Sequence, residues 1–366
     1  MASTVDTSRL SGHNRKRLQR KTAPSEPQPV KLRDIAEVAG VTIATASRSL
    51  NGSYGVHPNT RERVLEVALR LQYRPNRLAR GLVTGSSQIL GLIISDIRNP
   101  FFSEVARGVE DAAYLAGCDV VLCNSDLDSH KQNHYIGSLM AKSVDGIIMN
   151  SVSALERAEQ DRLAHSGVPV VLLNRSSDHL QFSTVCADNE QGGRLAAEHF
   201  LQLGHRRFAH LSGPRHHGNL SQRAKSFLQT VREHDPSALV TVLHGRHTLA
   251  GGHAMALKIF REKQDVTAIF AANDAVAFGV LKAAIECGIR IPRDVSLIGF
   301  DNVDFAAIVH PQLTTIHQSK YEIGQAAVDV LLRLAKGKDK SPENRVLGVE
   351  LIERDSVRNV NRSSSN

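Results

Sequence analysis

The sequence predicts a small all-α head followed by an α/β body of two doubly wound parallel-sheet lobes. Helical periodicity is confined to about residues 32–71, strand-like and helical runs alternate from Gln88 onward, and the excess positive charge lies ahead of that alternation. A chain of 366 residues suits a large core plus an accessory module. Hydrophobic residues at 41% exclude a chain disordered throughout. No apolar run approaches the ~18–20 residues of a membrane-spanning helix. The basic residues Arg15, Lys16, Arg17, Arg20 and Lys21 precede no apolar signal segment. A cytoplasmic protein without membrane contact is expected.

In the head, residues 1–29 are polar, Pro-containing and basic, and read as a disordered extension. Leu32, Ile35, Ala36 and Ala39 follow i, i+3, i+4, i+7 and stop at Gly40, which supplies a left-handed turn. Thr42 then caps a second helix, Ile43 to Leu50. Pro58 opens a third, with Val64, Leu65, Ala68 and Leu71 as its inner stripe. Together these make a helix-turn-helix head over residues 30–74. Asn76–Leu82 is too short and basic to be a stable helix alone and reads as a hinge within 75–87. Residues 1–87 hold 15 Lys and Arg against 6 Asp and Glu, leaving 30 against 31 for the rest. A basic module on a near-neutral body suits a polyanionic partner, because phosphate contacts release counterions.

In the body the strand candidates are Ile89–Ser95, Asp119–Asn124, Gly146–Met149, Val170–Leu173, Phe208–Ser212, Val240–Leu243, Ala268–Ala271, Val295–Gly299 and Leu313–Ile316. Helical stretches separate most of them, as parallel βαβ units require, and their number implies two lobes. Ligands bind such sheets at the carboxyl ends of the strands. Those ends carry Asp96, Asn99, Asn124, Asp126, Asn150, Asn174, Arg175, Asn273, Asp274, Asp301 and Asn302. The cysteines, Cys118, Cys123, Cys186 and Cys287, show no CxxC pairing and are expected as buried reduced thiols.

Several motifs follow one another in a characteristic order. They are Lys31 to Gly52 (KLRDIAEVAGVTIATASRSLNG), Thr60-Arg-Glu-Arg-Val64, Tyr73-Arg-Pro-Asn76, Ala79-Arg-Gly-Leu82, Asn99-Pro-Phe-Phe102, Asn273-Asp274, Gly299-Phe-Asp301 and Pro311-Gln-Leu-Thr-Thr315. From about residue 31 to 356 the chain resembles the lactose-repressor/galactose-repressor (LacI/GalR) family. The resemblance implies a type I periplasmic-binding-protein-like body over 88–360, with an N-lobe at about 88–187 and 317–338, a C-lobe at about 188–316 and 339–360, and a tail at 361–366. It also implies a DNA-binding regulator, a repressor by default, that holds a palindromic operator as a homodimer under control of a small molecule.

Helical spacing puts Ile43, Ala44, Ser47 and Arg48 on one stripe, as a helix in the major groove requires. By resemblance Ile43, Ala44 and Arg48 read bases, while Thr42, Thr45, Ser47 and Asn51 hold phosphates. Arg48 suits guanine O6 and N7. In the hinge, Leu82 would wedge the minor groove, with Ala79 beside it and Asn76 as its cap. The resemblance places Asp96, Phe101, Phe102, Arg223, Asn273 and Asp301 in the effector pocket, and Arg175, Asn219 and His247 are added from its loops. Such a set suits a sugar or sugar derivative. Arg246-His247 departs from the family's acidic-then-aromatic pair, and with His216, His217, Arg175 and Arg223 it reads either as a cationic pocket for a sugar acid or sugar phosphate or as solvated surface histidines. In the head, Ala46, Ser49 and Gln72 replace a valine, a larger apolar residue and a glycine.

Two other functions use similar folds. A transport receptor would have no use for residues 31–82. An enzyme would need a motif the chain lacks: there is no G-x-G-x-x-G after the first strand, no Walker loop, no G-x-S-x-G and no metal-spaced His/Cys set. His165, His205 and His210 are isolated and read as surface or satisfied residues. Neither an enzyme nor a cofactor or metal is expected. The closing Asn-Arg-Ser-Ser-Ser-Asn has no leucine heptad for a tetramer coil.

Overall fold

The computed structural model describes residues 30–73, 85–150, 157–174, 181–215, 218–337 and 341–361. It falls into two compact units divided at Arg80/Gly81. The basic extension, Asn76, Ala79 and Leu82 of the hinge, Arg175, His216 and His217 lie outside the described residues.

The first unit holds α1 (Leu32–Ala39), α2 (Ile43–Leu50) and α3 (Pro58–Arg70). Ile35, Ala36 and Ala39 of α1, Ala46 of α2, and Val64, Val67 and Ala68 of α3 form its core. Gly40 ends α1 at φ 64°. Leu65, expected inside, is 42% exposed, and Val67 takes its place. The inward stripe of α3 passes through 64, 67 and 68, and a residue one position after Val64 is turned about 100° away. Ser49 keeps its buried slot satisfied because its Oγ donates to the Thr45 carbonyl at 2.8 Å. Gln72, after α3, sits at φ 53°. There the Tyr73 amide donates to the Ala68 carbonyl at 2.9 Å, closing the helix end. A side chain in this left-handed region costs roughly 1 kcal/mol relative to glycine. Gln72→Gly should therefore slow hydrogen exchange of α1–α3 amides in the full chain about fivefold, provided exchange proceeds by opening of the whole head.

The second unit contains two six-stranded sheets. The first lobe is built from β1 (Ile89–Ile94), α4 (Pro100–Leu115), β2 (Asp119–Asn124), α5 (Ser129–Ala141), β3 (Gly146–Met149), α6 (Arg157–His165), β4 (Val170–Leu173) and β5 (Ser183–Ala187). The second continues through α7 (Asn189–Gln202), β6 (Arg207–Ser212), α8 (Gly218–His234), β7 (Leu239–His244), α9 (Leu249–Arg261), β8 (Ala268–Ala271), α10 (Asp274–Cys287), β9 (Ser296–Asp301) and β10 (Thr314–Gln318). Then come α11 (Lys320–Ala335), β11 (Asn344–Leu347) and β12 (Val349–Ile352). The sheet orders are β11-β5-β4-β3-β1-β2 and β12-β10-β9-β8-β6-β7. Every pair is parallel except β10 with β12. Continuous apolar runs such as Leu90–Ile94 and Ala268–Ala271 suit these strands because helices cover both faces.

The chain passes between the lobes three times, and one crossing differs from expectation. β10 runs on to Gln318 in the second sheet, and α11 then packs on α4 of the first lobe. β11 adds beside β5 in the first sheet, so the return falls at Gly348 and not near 339. The shift comes from β11, a short strand too polar to stand out by hydrophobicity. Cys123 and Cys186 are buried, whereas Cys118 and Cys287, expected buried, are only half so; all are free thiols.

His205 and His210 are buried in the second lobe. The His205 ring lies 3.0 Å from Thr267 Oγ1 and donates from Nε2 to the Arg358 carbonyl at 3.1 Å. His210 donates from Nδ1 to the Phe270 carbonyl at 3.0 Å and stacks on the Phe270 ring. Burial pushes both imidazoles down to about 4. A histidine whose folded value lies below its unfolded value of about 6.5 takes up its proton first in the unfolded chain. Stability is then lost as pH falls from about 6.5 towards 4, at up to ~1.4 kcal/mol per pH unit for each ring. His205→Gln keeps a donor and an acceptor but does not titrate. In urea unfolding, the stability of the wild type should therefore fall relative to this variant by about 1 kcal/mol per unit across that window.

Candidate DNA-reading surface and ligand cavity

On the head, Thr42 caps α2 by accepting the Thr45 amide at 3.1 Å, and the two hydroxyls lie 2.9 Å apart. That cap turns the first turn of α2 outward: Ile43 is 51% exposed, and Ala44 and Arg48 are exposed beside it. Thr45 and Ser47 are half-buried, and Asn51 donates to Ser47 Oγ at 3.4 Å. The structure thus brings Thr42, Ile43, Ala44, Thr45, Ser47, Arg48 and Asn51 onto one helix and its flanks, with two apolar side chains and a guanidinium foremost. Such a surface offers methyl contacts and a forked donor.

In the body, a cavity between the sheets is lined by Asn99, Phe101, Phe102, Asn150 and Asn174 from the first lobe. The second contributes Asn219, Leu220, Arg223, His247, Asn273, Asp301 and Gln318. Its free volume is ≈ 40 Å³, well below the range for small-molecule sites, ~300–1,000 Å³. Phe101 and Phe102 meet edge to face at 5.0 Å and also pack into the first lobe's core. Asn273 caps α10 through the Val276 amide at 2.9 Å and donates to the His247 carbonyl at 3.2 Å.

Arg223 is the buried cation of this set. Its Nε donates to Asn189 at 2.8 Å, another donor reaches the Ala272 carbonyl at 2.6 Å, and the guanidinium lies 3.4 Å over the Phe300 ring. Asp301 stands 4.0 Å from it and accepts from Gln318 Nε2 at 2.6 Å. Burial pushes the Arg223 guanidinium down to about 10 and raises the Asp301 carboxyl, against the pull of Arg223, Gln318 and Lys320. Asp274 is fully buried and accepts from Thr315 Oγ1 at 2.6 Å and the Val303 amide at 2.9 Å. Burial, then repulsion from Asp301, raises its carboxyl as well. The adjacent position must be glycine: a Cβ on Gly299 would sit 2.2 Å from Asp274 Oδ1.

Of the expected pocket residues, Asp96 is not in the lining. Arg98 folds back two residues onto its carboxylate, with donors at 2.8 and 3.0 Å. Arg246 is exposed and also outside it. His247 does line the cavity, but burial, then Arg223, lowers its imidazole and keeps it neutral at pH 7. Asn99, Asn150, Asn174, Leu220 and Gln318 line it without having been assigned to it. Asn99, Asn150 and Asn174 were visible as polar residues at strand ends, whereas Leu220 and Gln318 carried no such signal.

Comparison with known proteins bears on both sites. The model described as bacterial regulatory proteins, lacI family, matches residues 31–76, and the periplasmic binding protein-like domain matches 197–357. Catabolite control protein A of Priestia megaterium is 36% identical over 306 residues, 83% of this chain and 92% of its own. The ribose operon repressor of Halalkalibacterium halodurans is 33% identical over 91% of this chain and 99% of its own. Among solved structures, the lac repressor dimer bound to operator and an anti-inducer superposes with TM-score 0.81 at 28% identity, covering 90% of this chain and all of that one. A LacI family regulator of Enterococcus faecalis with bound ribose superposes at 0.67 and 32% identity, over 74% of this chain and 99% of its own.

Proposed function

The chain belongs to the LacI family of bacterial transcriptional regulators, and from that premise we propose that its head reads a palindromic operator while its body binds a neutral sugar. It is a DNA-binding regulator and not an enzyme. No helix among the described residues is long and apolar enough to cross a membrane, and we place the protein in the cytoplasm with its DNA. Two copies bind two half-sites. Ile43, Ala44 and Arg48 read base edges; Thr42, Thr45, Ser47 and Asn51 hold phosphates. The parts of Asn76, Ala79 and Leu82 in the minor groove rest on family resemblance alone.

One observation carries the sugar reading. Asn174 Oδ1 and Gln318 Oε1 are buried acceptors with no partner among the described residues, and both residues line the cavity. Leaving such atoms unmet costs about 1–3 kcal/mol each, so a ligand rich in hydroxyl donors is favoured. In the described lining, the charge of Arg223 is opposed by Asp301 and His247 is neutral, leaving no net charge for an acid or phosphate. The regulator of Enterococcus faecalis, 32% identical, is solved with ribose, a neutral sugar of this kind. At a ligand concentration 100-fold above Kd, D-ribose or a close pentose should stabilise the full chain by about 2.7 kcal/mol in thermal unfolding, and D-ribose 5-phosphate far less. Equal or tighter binding of the phosphate would overturn the neutral reading.

A further inference from the structure

The second lobe's contribution to the cavity ends in an unusual turn. Asp301 and Asn302 both have positive φ, 114° and 50°. Neither is glycine, so the turn is strained and needs external support. That support comes from Lys320, the first residue of α11. The residue is 9% exposed, and its ammonium donates to the carbonyls of Asp301 at 3.0 Å and Asn302 at 2.9 Å. For its own helix this lysine is badly placed, because a cation at an N-terminus opposes the helix dipole. Burying an ammonium is costly as well. What compensates is the turn and the carboxylates behind it.

We propose that Lys320 is a positioning residue of the effector site, fixing the Asp301–Asn302 turn and so setting both the aim and the charge of the Asp301 carboxylate. The segment that supplies it is one of the three lobe crossings. Gln318, two residues earlier, holds Asp301 Oδ1, and α11 beyond it packs on α4 of the first lobe. A sugar hydroxyl bound by Asp301 is thereby tied to the first lobe through the short segment from Gln318 into α11. The groups facing Asp301 are Arg223 from α8, Asp274 from α10 and Lys320 from α11. Behind the turn, Asn302 donates to His317 Nδ1 at 3.1 Å, and Arg354, following β12, donates to Asn302 Oδ1 at 2.7 Å. Lys320 pulls down both buried carboxyls and, by like charge, the His317 imidazole. A lysine that merely stapled the turn would act through its hydrogen bonds alone; a lysine that sets the charge must change how Asp301 titrates.

The inference rests on the sugar reading only for its ligand, and the test separates the two. In the full chain labelled with carboxyl-carbon-13 aspartate, and with the Asp301 signal assigned through Asp301→Asn, Lys320→Gln and Lys320→Met should raise the Asp301 midpoint by about one pH unit, tenfold in proton affinity. Lys320→Arg should leave it within a few tenths of a unit. D-ribose should bind the Gln and Met variants at least tenfold more weakly than wild type at pH 7, and the Arg variant within a few-fold. An unmoved midpoint in folded Lys320→Gln overturns the proposal, as does equal ribose affinity. If wild type ignores ribose while the midpoint moves as stated, the sugar reading fails and the positioning role stands. If the Gln and Met variants do not fold, Lys320→Arg decides, and a midpoint displaced by a full unit in that charge-retaining variant overturns the inference.

Discussion

Arg223→Met should cost the full chain about 3–5 kcal/mol of stability at pH 8 and abolish sugar binding. The guanidinium is 3% exposed and serves Asn189, the Ala272 carbonyl and Asp301, and it covers the face of Phe300. Methionine replaces the stem but none of the donors, so it leaves a carboxylate buried opposite another carboxylate, Asp274. The loss should depend on pH in a defined direction. Asp301 already has its carboxyl raised by burial, and without Arg223 it rises further. A carboxyl raised above its unfolded value of about 3.9 penalises the ionised folded state at high pH, and the penalty is relieved as pH falls and the folded protein takes up the proton. The deficit between variant and wild type in urea unfolding should therefore shrink from pH 8 to pH 5.5. Adding Asp301→Asn should recover part of the stability, since the uncompensated charge is gone, and none of the binding. A deficit that is constant with pH and unchanged in the double variant would mean that Arg223 acts by packing alone.

The head was legible in the sequence because its signals are local. Gly40, Thr42 and Pro58 each mark a helix boundary by their own backbone or side-chain chemistry, and the structure places all three as expected. Leu65 failed because it lies outside the arc that Val64, Val67 and Ala68 share on α3, and the pattern alone did not choose Val67. The cavity was half legible. Residues on the apolar-strand-to-polar-end signal, such as Asn273 and Asp301, line it as expected. Asp96 lies at the same kind of strand end yet is occupied by Arg98, a local fold-back that spacing does not reveal. Gln318 was hidden because β10 continues past Ile316, its last apolar residue, through His317 to a buried glutamine. Arg246-His247 was read as one cationic feature, but in the segment after β7 the arginine faces solvent and the histidine lines the cavity. Lys320 gave no sign at all, since its partners are backbone carbonyls brought near by the lobe crossing.

Arg48→Ala should weaken operator binding by about 2–6 kcal/mol, because each half-site loses a bidentate contact worth roughly 1–3 kcal/mol and the dimer carries two. Arg48 stands exposed in the last turn of α2, where its charge also favours the helix dipole. Truncation therefore removes a small helix contribution as well, and far-UV circular dichroism separates that from the loss of contact. The informative measurement is the pattern of loss. With an operator obtained by selection from random duplexes, a base-reading arginine predicts that the variant loses discrimination at one guanine in each half-site while its binding to unrelated DNA falls little. The salt slope serves as the control: a residue that only neutralised a phosphate would reduce the slope by about 1 per head and weaken all sequences alike. Thr42 is the natural comparison. Its hydroxyl is already engaged with Thr45, so Thr42→Ala should lower affinity for every sequence through loss of the cap, about 1 kcal/mol per head, and leave base preference unchanged. If Arg48→Ala behaves as Thr42→Ala does, the reading surface is centred on Ile43 and Ala44, and Arg48 belongs with the phosphate contacts.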